Sequence, residues 1–293
     1  MPDFKVKFLG TRGSYPVFGD KYKKFGGSTT CVAIEIENEI IILDGGTGII
    51  EYGKKLVSDS SKKNIYIFIT HTHQDHIQGL PFFAPLYSRR FNINIASPKM
   101  FEKSIGRVLA EFMDYQYFPV KFEHLGSSKK IIDLNEREFI EIKRDGLFNE
   151  VDIENKSMKN LEEINVYTKY LKNHPVGGVY IYKVEYKGKK VVFATDVEGF
   201  LQGDLSVEEF CRDADILIYD SAYTREEYKK KIGWGHSTPE MAAVIAKNAN
   251  VKMLYLTHHD PDHDDDMVGK KLEEAEAVFK NSILAYDGLE IIV

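Results

Sequence analysis

Residues 71 to 76 read His71-Thr72-His73-Gln74-Asp75-His76, which puts four potential metal ligands within six positions. They follow the apolar run Asn64 to Thr70 and precede Ile77-Gln78-Gly79-Leu80, so they fall on a strand-to-helix turn. A strand sends alternate residues to the same side. His71 and His73 are therefore a natural pair, while Asp75 and His76 on the turn beyond can reach a second ion. A lone histidine in a strand is more often a hydrogen-bonded core residue than a ligand. Four polar side chains this close together could not all find partners in an apolar core, and the crowding points to metal.

The hexapeptide resembles the His-x-His-x-Asp-His motif of the metallo-β-lactamase superfamily. That resemblance implies a dinuclear site completed by a third histidine, a bridging carboxylate and a final histidine at the ends of later strands. His174 stands just before the strand-like stretch Val179 to Tyr186, although a histidine before Pro175 also suits an ordinary loop. Asp196 follows the apolar run Lys190 to Thr195, and His258 closes Val251 to Thr257. By resemblance, His71, His73 and His174 hold one ion, Asp75, His76 and His258 hold the other, and Asp196 bridges them. Two divalent ions are expected: zinc first, with manganese or iron also suited to nitrogen and oxygen ligands.

Further segments resemble the phosphodiesterase branch of the superfamily, which includes tRNase Z. Gly10-Thr11-Arg12-Gly13-Ser14-Tyr15-Pro16 is similar to its opening loop. Asp44, at the end of the hairpin Cys31–Glu37 and Ile40–Asp44, is similar to an aspartate that orients ligands, and Gly45-Gly46-Thr47-Gly48 would let backbone approach the metal loop. Trp234-Gly235-His236-Ser237-Thr238-Pro239 is similar to a segment whose histidine serves the reacting phosphate. Ser237 or Thr238 can also cap a helix there, but capping leaves His236 unexplained. Asp220 ends the strand-like Asp215 to Tyr219, at the place where relatives carry an acid that orients this histidine. An aspartate departs from the glutamate expected of tRNase Z. The expected catalytic residues are Asp75, His236 and Asp220.

The elements that must position these groups read as strands alternating with helical stretches such as Thr238–Asn248 and Val268–Lys280, an α/β pattern. The resemblance sharpens this to a four-layer αββα sandwich. The 293 residues suit one domain spanning 1–293, with an insertion or lid around 87–170. Within that region the aromatic cluster Phe112 to Val120 suits core, a homodimer interface or a lid. The start Met1-Pro2-Asp3-Phe4 reads as a strand rather than a leader, and no stretch is long enough to span a membrane. Cys31 and Cys211 form no Cys-x-x-Cys pair, which fits free thiols in the cytoplasm. Asp264 to Asp266 suit a turn that caps the helix from Val268. His259, Asp260 and His263 could orient ligands or form a weak third site.

Two divalent ions can activate water and clamp the oxygens of an ester, with His236 protonating the departing alkoxide. A phosphodiester is the expected substrate. With 39 Lys and Arg against 45 Asp and Glu, and no gripping arm evident, no extended nucleic-acid surface is expected. The leading expectation is a compact phosphodiester, a cyclic nucleotide opened to a nucleoside monophosphate. The alternatives are a tRNA 3′-processing endonuclease and a non-catalytic metal-bearing sensor domain.

Overall fold

The computed structural model describes residues 4–59, 64–98, 103–134, 138–143, 148–152 and 162–293. Part of the expected 87–170 insertion lies outside them. The chain forms two compact units, the first from Met1–Pro16, Ser28–Leu134 and Asp287–Ile292, the second from Val17–Gly27, Asn135–Tyr286 and Val293.

The first unit is built on a seven-stranded mixed sheet. β1 (Phe4–Gly10) pairs antiparallel with β2 (Cys31–Ile36), which pairs antiparallel in turn with β3 (Glu39–Leu43). β4 (Asn64–Phe68), β5 (Asn92–Pro98) and β6 (Ser128–Leu134) continue parallel from β3, and the short strand Glu290–Ile292 adds to the free edge of β1. β1 alternates buried Phe4, Val6 and Phe8 with less buried partners, whereas every residue of β3, a central strand between β2 and β4, is buried. Ile40, Ile42, Ile65, Ile67, Ile93 and Ile95 share one core with apolar residues of α1 (Ile49–Ser58) and α3 (Ile105–Phe112). The short α2 (Gln74–Ile77) carries the second half of the histidine motif. The aromatic cluster divides: Met113 is buried, Phe118 packs edge-on to Phe82, and Tyr115 and Tyr117 are exposed.

An eight-stranded mixed sheet organises the second unit. β7 (Glu138–Ile142), β8 (Phe148–Asp152), β9 (Ile164–Leu171), β10 (Val179–Tyr186) and β11 (Lys189–Ala194) pair antiparallel, in the spatial order β11-β10-β9-β7-β8. β12 (Ile216–Asp220), β13 (Met253–Thr257) and β14 (Ser282–Leu284) extend the sheet parallel to β11. Parallel neighbours need crossovers, supplied by α4 (Leu205–Cys211), α5 (Arg225–Lys231), α6 (Pro239–Asn248) and α7 (Asp265–Glu276). Val192, Leu217, Tyr219, Leu254 and Leu256 pack with Val207, Ala242, Ile245 and Val268 in a second core. Asp204, Thr238 and Asp264 cap α4, α6 and α7 with side-chain oxygens on first-turn amides. The acidic run thus starts α7 at Asp265, three residues earlier than the apolar pattern suggests.

Cys31 and Cys211 are both buried free thiols, and burial pushes the Cys211 thiol up to about 12. No helix among the described residues is long and apolar enough to cross a membrane.

Thr224 and Glu227 form a capping box at the start of α5, and His263 Nε2 lies 2.8 Å from Glu227 Oε1. Burial raises the Glu227 carboxyl, but its bonds with His263 and Thr224 outweigh that and bring it to about 2; burial foremost lowers the His263 imidazole. Both groups bind a proton less readily folded than unfolded, so their stabilisation is present at neutral pH and lost on acidification. Urea midpoints should fall as the pH drops below the usual histidine value of about 6.5, and further between about 4.5 and 2. Glu227→Gln should flatten the lower limb; an unchanged limb would contradict the assignment.

Candidate functional site

Parallel strands bring their C-terminal ends to one edge of a sheet, where open α/β folds place chemistry. In the first unit, Asp44 follows β3, and Thr70 and His71 follow β4. Asp44 is fully buried and adopts a left-handed backbone with φ 63°. Its Oδ1 accepts the Thr70 amide at 2.8 Å, and its Oδ2 accepts the Thr70 hydroxyl at 3.0 Å and His76 Nδ1–H at 2.7 Å. Since the Thr70 proton goes to Asp44, the same hydroxyl oxygen accepts His71 Nδ1–H at 3.0 Å. One carboxylate thus sets the tautomer of two imidazoles and makes Nε2 the lone-pair nitrogen of each. The rings of His73 and His76 both lie 4.3 Å from that of His71, measured between centroids.

Asp75 Oδ2 sits 3.1 Å from His76 Nε2 and accepts the Ser14 amide at 2.8 Å, which seats the opening loop beside the motif. Behind it, a Cβ on Gly46 would fall 2.4 Å from the Asp75 carbonyl oxygen, so only glycine allows this approach.

The second unit repeats the device at the ends of β11, β12 and β13. Asp220 is wholly buried. Its Oδ1 accepts the Ala222 and Ser237 amides at 3.0 Å each, and its Oδ2 accepts the Asp196 amide at 3.1 Å and His236 Nδ1–H at 2.8 Å. Asp196 and His258 both take left-handed backbone, φ 56° and 59°, just past the ends of their strands. The two oxygens of Asp196 face different histidines, Oδ2 to His258 Nε2 at 3.3 Å and Oδ1 to His174 Nε2 at 3.7 Å. The His236 ring stacks on that of His258 at 4.9 Å and stands edge-on to Tyr223 at 5.6 Å.

His174 settles whether these donors fit a metal. Its Nδ1 lies 3.1 Å from the Gly235 carbonyl oxygen, which can only accept, so the neutral ring carries its lone pair at Nε2, toward Asp196. His76 is held the same way with Nε2 toward Asp75. A lone pair facing a carboxylate repels it unless a cation lies between them. Asp196 presents one oxygen to His174 Nε2 and the other to His258 Nε2, so both imidazoles face the same carboxylate. The donor set fits a divalent metal.

Each unit assembles the site residues the sequence pointed to: His71, His73, Asp75 and His76 in the first, His174, Asp196, Asp220, His236 and His258 in the second. Three other histidine-loop residues have structural partners instead. His259 bonds the Ala285 carbonyl, Asp260 pairs with Lys231 at 3.1 Å, and His263 bonds Glu227. Sequence reasoning missed Glu198. This buried carboxylate accepts the Gly233 amide at 2.7 Å, the Gly235 amide at 2.9 Å and the Tyr228 hydroxyl at 2.8 Å, fixing the loop that leads into His236. The only sequence signal was an acid two residues after Asp196. Lys271, also missed, is fully buried and donates to the Ser221 and Ala222 carbonyls just beyond Asp220.

The family model of the Beta-lactamase superfamily domain matches residues 41–259, most of the chain. The chain belongs to the metallo-β-lactamase superfamily, in its tRNase Z-like branch. It is similar to ribonuclease Z of Picrophilus torridus, 29% identical over 99% of this chain and 96% of that one. Ribonuclease Z of Bacillus subtilis is 30% identical over 78% of this chain and 80% of its own length. The crystal structure of human tRNase Z, short form, has the same fold, with a TM-score of 0.61 at 22% identity and 99% coverage of both chains. Two mixed sheets with flanking helices agree with the α/β sandwich of this fold. As a superfamily member of this branch, the chain is a metal-dependent hydrolase of the phosphodiesterase class.

These relatives overturn one expectation. A small nucleotide partner, with no extended nucleic-acid surface, does not agree with matches to ribonucleases along nearly the whole chain. Net charge misled because it is summed over the molecule: a deficit of six says nothing about where the 39 basic residues lie.

Glu198→Gln replaces an acceptor with an amide that faces two backbone donors. Losing a hydrogen bond to a charged acceptor costs about 1.5–3 kcal/mol, so exchange of the Gly233 and Gly235 amides should speed up by about 10- to 100-fold. Hydrogen exchange read by NMR checks this, and unchanged protection would remove Glu198 from its role.

Proposed function

We propose that the chain is a cytoplasmic endoribonuclease that trims precursor tRNA at its 3′ side. The observation that carries this reading is the His236–Asp220 pair, 2.8 Å apart, on a chain similar to ribonuclease Z along nearly its whole length. His71, His73 and His174 would hold one divalent ion, Asp75, His76 and His258 the second, with Asp196 shared; zinc suits these ligands best, and manganese or iron would also fit. When bound, such ions supply Lewis acidity and bring the ionisation of a water toward neutral pH.

The chain's own groups perform the rest. Asp75, one oxygen held by the Ser14 amide, accepts a hydrogen bond from the attacking water. His236 donates its Nε2 proton to the departing alkoxide while Asp220, bonded at Nδ1, stabilises the charged ring and fixes its direction. His236 is suited to proton transfer rather than to structure because its side chain is 12% exposed while that of Asp220 is fully buried. Two backbone amides and the Asp196 amide keep Asp220 from following its partner toward the substrate.

The metal-loaded chain should remove the 3′ extension from a precursor tRNA, and failure to cut any precursor while hydrolysing cyclic nucleotides would refute the reading. His236→Ala should keep its metal and lower the maximal rate on RNA about 100- to 10,000-fold. Hydrolysis of bis-p-nitrophenyl phosphate, whose leaving group departs without protonation, should suffer far less. Equal losses on both substrates would assign His236 to ligation or positioning.

A further inference from the structure

Trp234 is the chain's only tryptophan, and it is 58% exposed, two residues from His236. Its backbone is nevertheless fixed on every side. The Gly233 and Gly235 amides are both bound by the buried Glu198 carboxylate, the Trp234 amide donates to the Lys231 carbonyl at 3.1 Å, and the Gly235 carbonyl accepts from His174. Gly235 has φ 87°, and a Cβ there would stand 2.4 Å from His174 Nδ1, so the turn cannot relax to an ordinary residue. An indole more than half exposed, on a backbone this restrained, presents an aromatic face to solvent at a fixed point of the chain.

Its surroundings favour an anion-bearing partner. Lys231 Nζ lies 5.9 Å from the Trp234 ring centroid and 4.0 Å from that of Tyr223, which also stands edge-on to His236. Lys229 and Lys230 complete the last turn of α5. Asp260 and Glu226 pair with Lys231 and Lys229, while Lys230 is exposed.

We infer that Trp234 is a stacking platform for a nucleobase of single-stranded RNA beside the scissile phosphate. This rests on the RNA reading above and adds a base-binding subsite to it. Trp234 and His236 are at most about 7 Å apart along the backbone, the reach of one nucleotide. Aromatic faces take any base, each having a π-face, so the subsite holds the strand without dictating its sequence. The exposed Lys230 serves a neighbouring phosphate.

The lone tryptophan makes the test direct. The metal-loaded full chain is titrated with a cleavage-resistant phosphorothioate oligoribonucleotide and with an abasic ribose-phosphate oligomer of equal length, binding being followed by anisotropy of labelled copies. Indole fluorescence should be quenched by the first and not by the second. Trp234→Ala should raise KM for precursor RNA about tenfold or more with kcat within about threefold, and Trp234→Phe should recover most of the loss. No binding, binding without quenching, equal quenching by the abasic oligomer, or an unchanged KM in Trp234→Ala overturns the subsite. Failure of the RNA reading shows separately, as no cleavage of precursor by the parent chain.

Discussion

The Asp220 carboxylate lies wholly inside the second unit, and everything at that edge of the sheet depends on its being satisfied there. A buried carboxylate without partners would take up a proton or unfold its surroundings, because removing an ion from water costs several kcal/mol. Asp220 avoids this with three amides and one imidazole, and each donor it accepts is thereby placed. The Asp196 amide fixes the turn after β11. The Ser237 amide fixes the start of the segment into α6. The imidazole is His236 itself. Asp44 plays the same part in the first unit, with Thr70 relaying its hold to His71.

Such an anchor selects protonation state as well as position. Nδ1 of His71, His76 and His174 each donates to an acceptor built into the fold, and this leaves the lone pair of each neutral ring at Nε2. The left-handed backbone at Asp44, Asp196 and His258 belongs to the same design. Such a conformation costs about 1 kcal/mol per residue and turns the side chain out of the strand's alternation.

Much of this was legible in the chain. The histidine motif, Asp196 and His258 sit at strand ends because apolar runs stop there, and Val179 to Tyr186 is a strand over those same residues. The His236–Asp220 pairing, read from two separated segments, is present at 2.8 Å. Glu198 and Lys271 were not legible, since their partners are backbone groups and a backbone carbonyl or amide leaves no mark in the sequence. The start of α7 was misjudged because the apolar pattern begins at Val268, whereas the cap that ends the loop is Asp264. The likeness to ribonucleases escaped for a different reason: total charge is summed over the molecule and does not say where the basic residues lie.

The central proposal is that Asp196, whose two oxygens face His174 and His258, is a ligand shared by two ions. Elemental analysis of the purified chain beside Asp196→Ala, both equilibrated with the same zinc, tests it most directly. The parent should hold two ions per chain and the variant neither, with Asp264→Ala unchanged as the control for an acidic loop residue. A parent that holds only one ion, or an Asp196→Ala variant that keeps two, would contradict it.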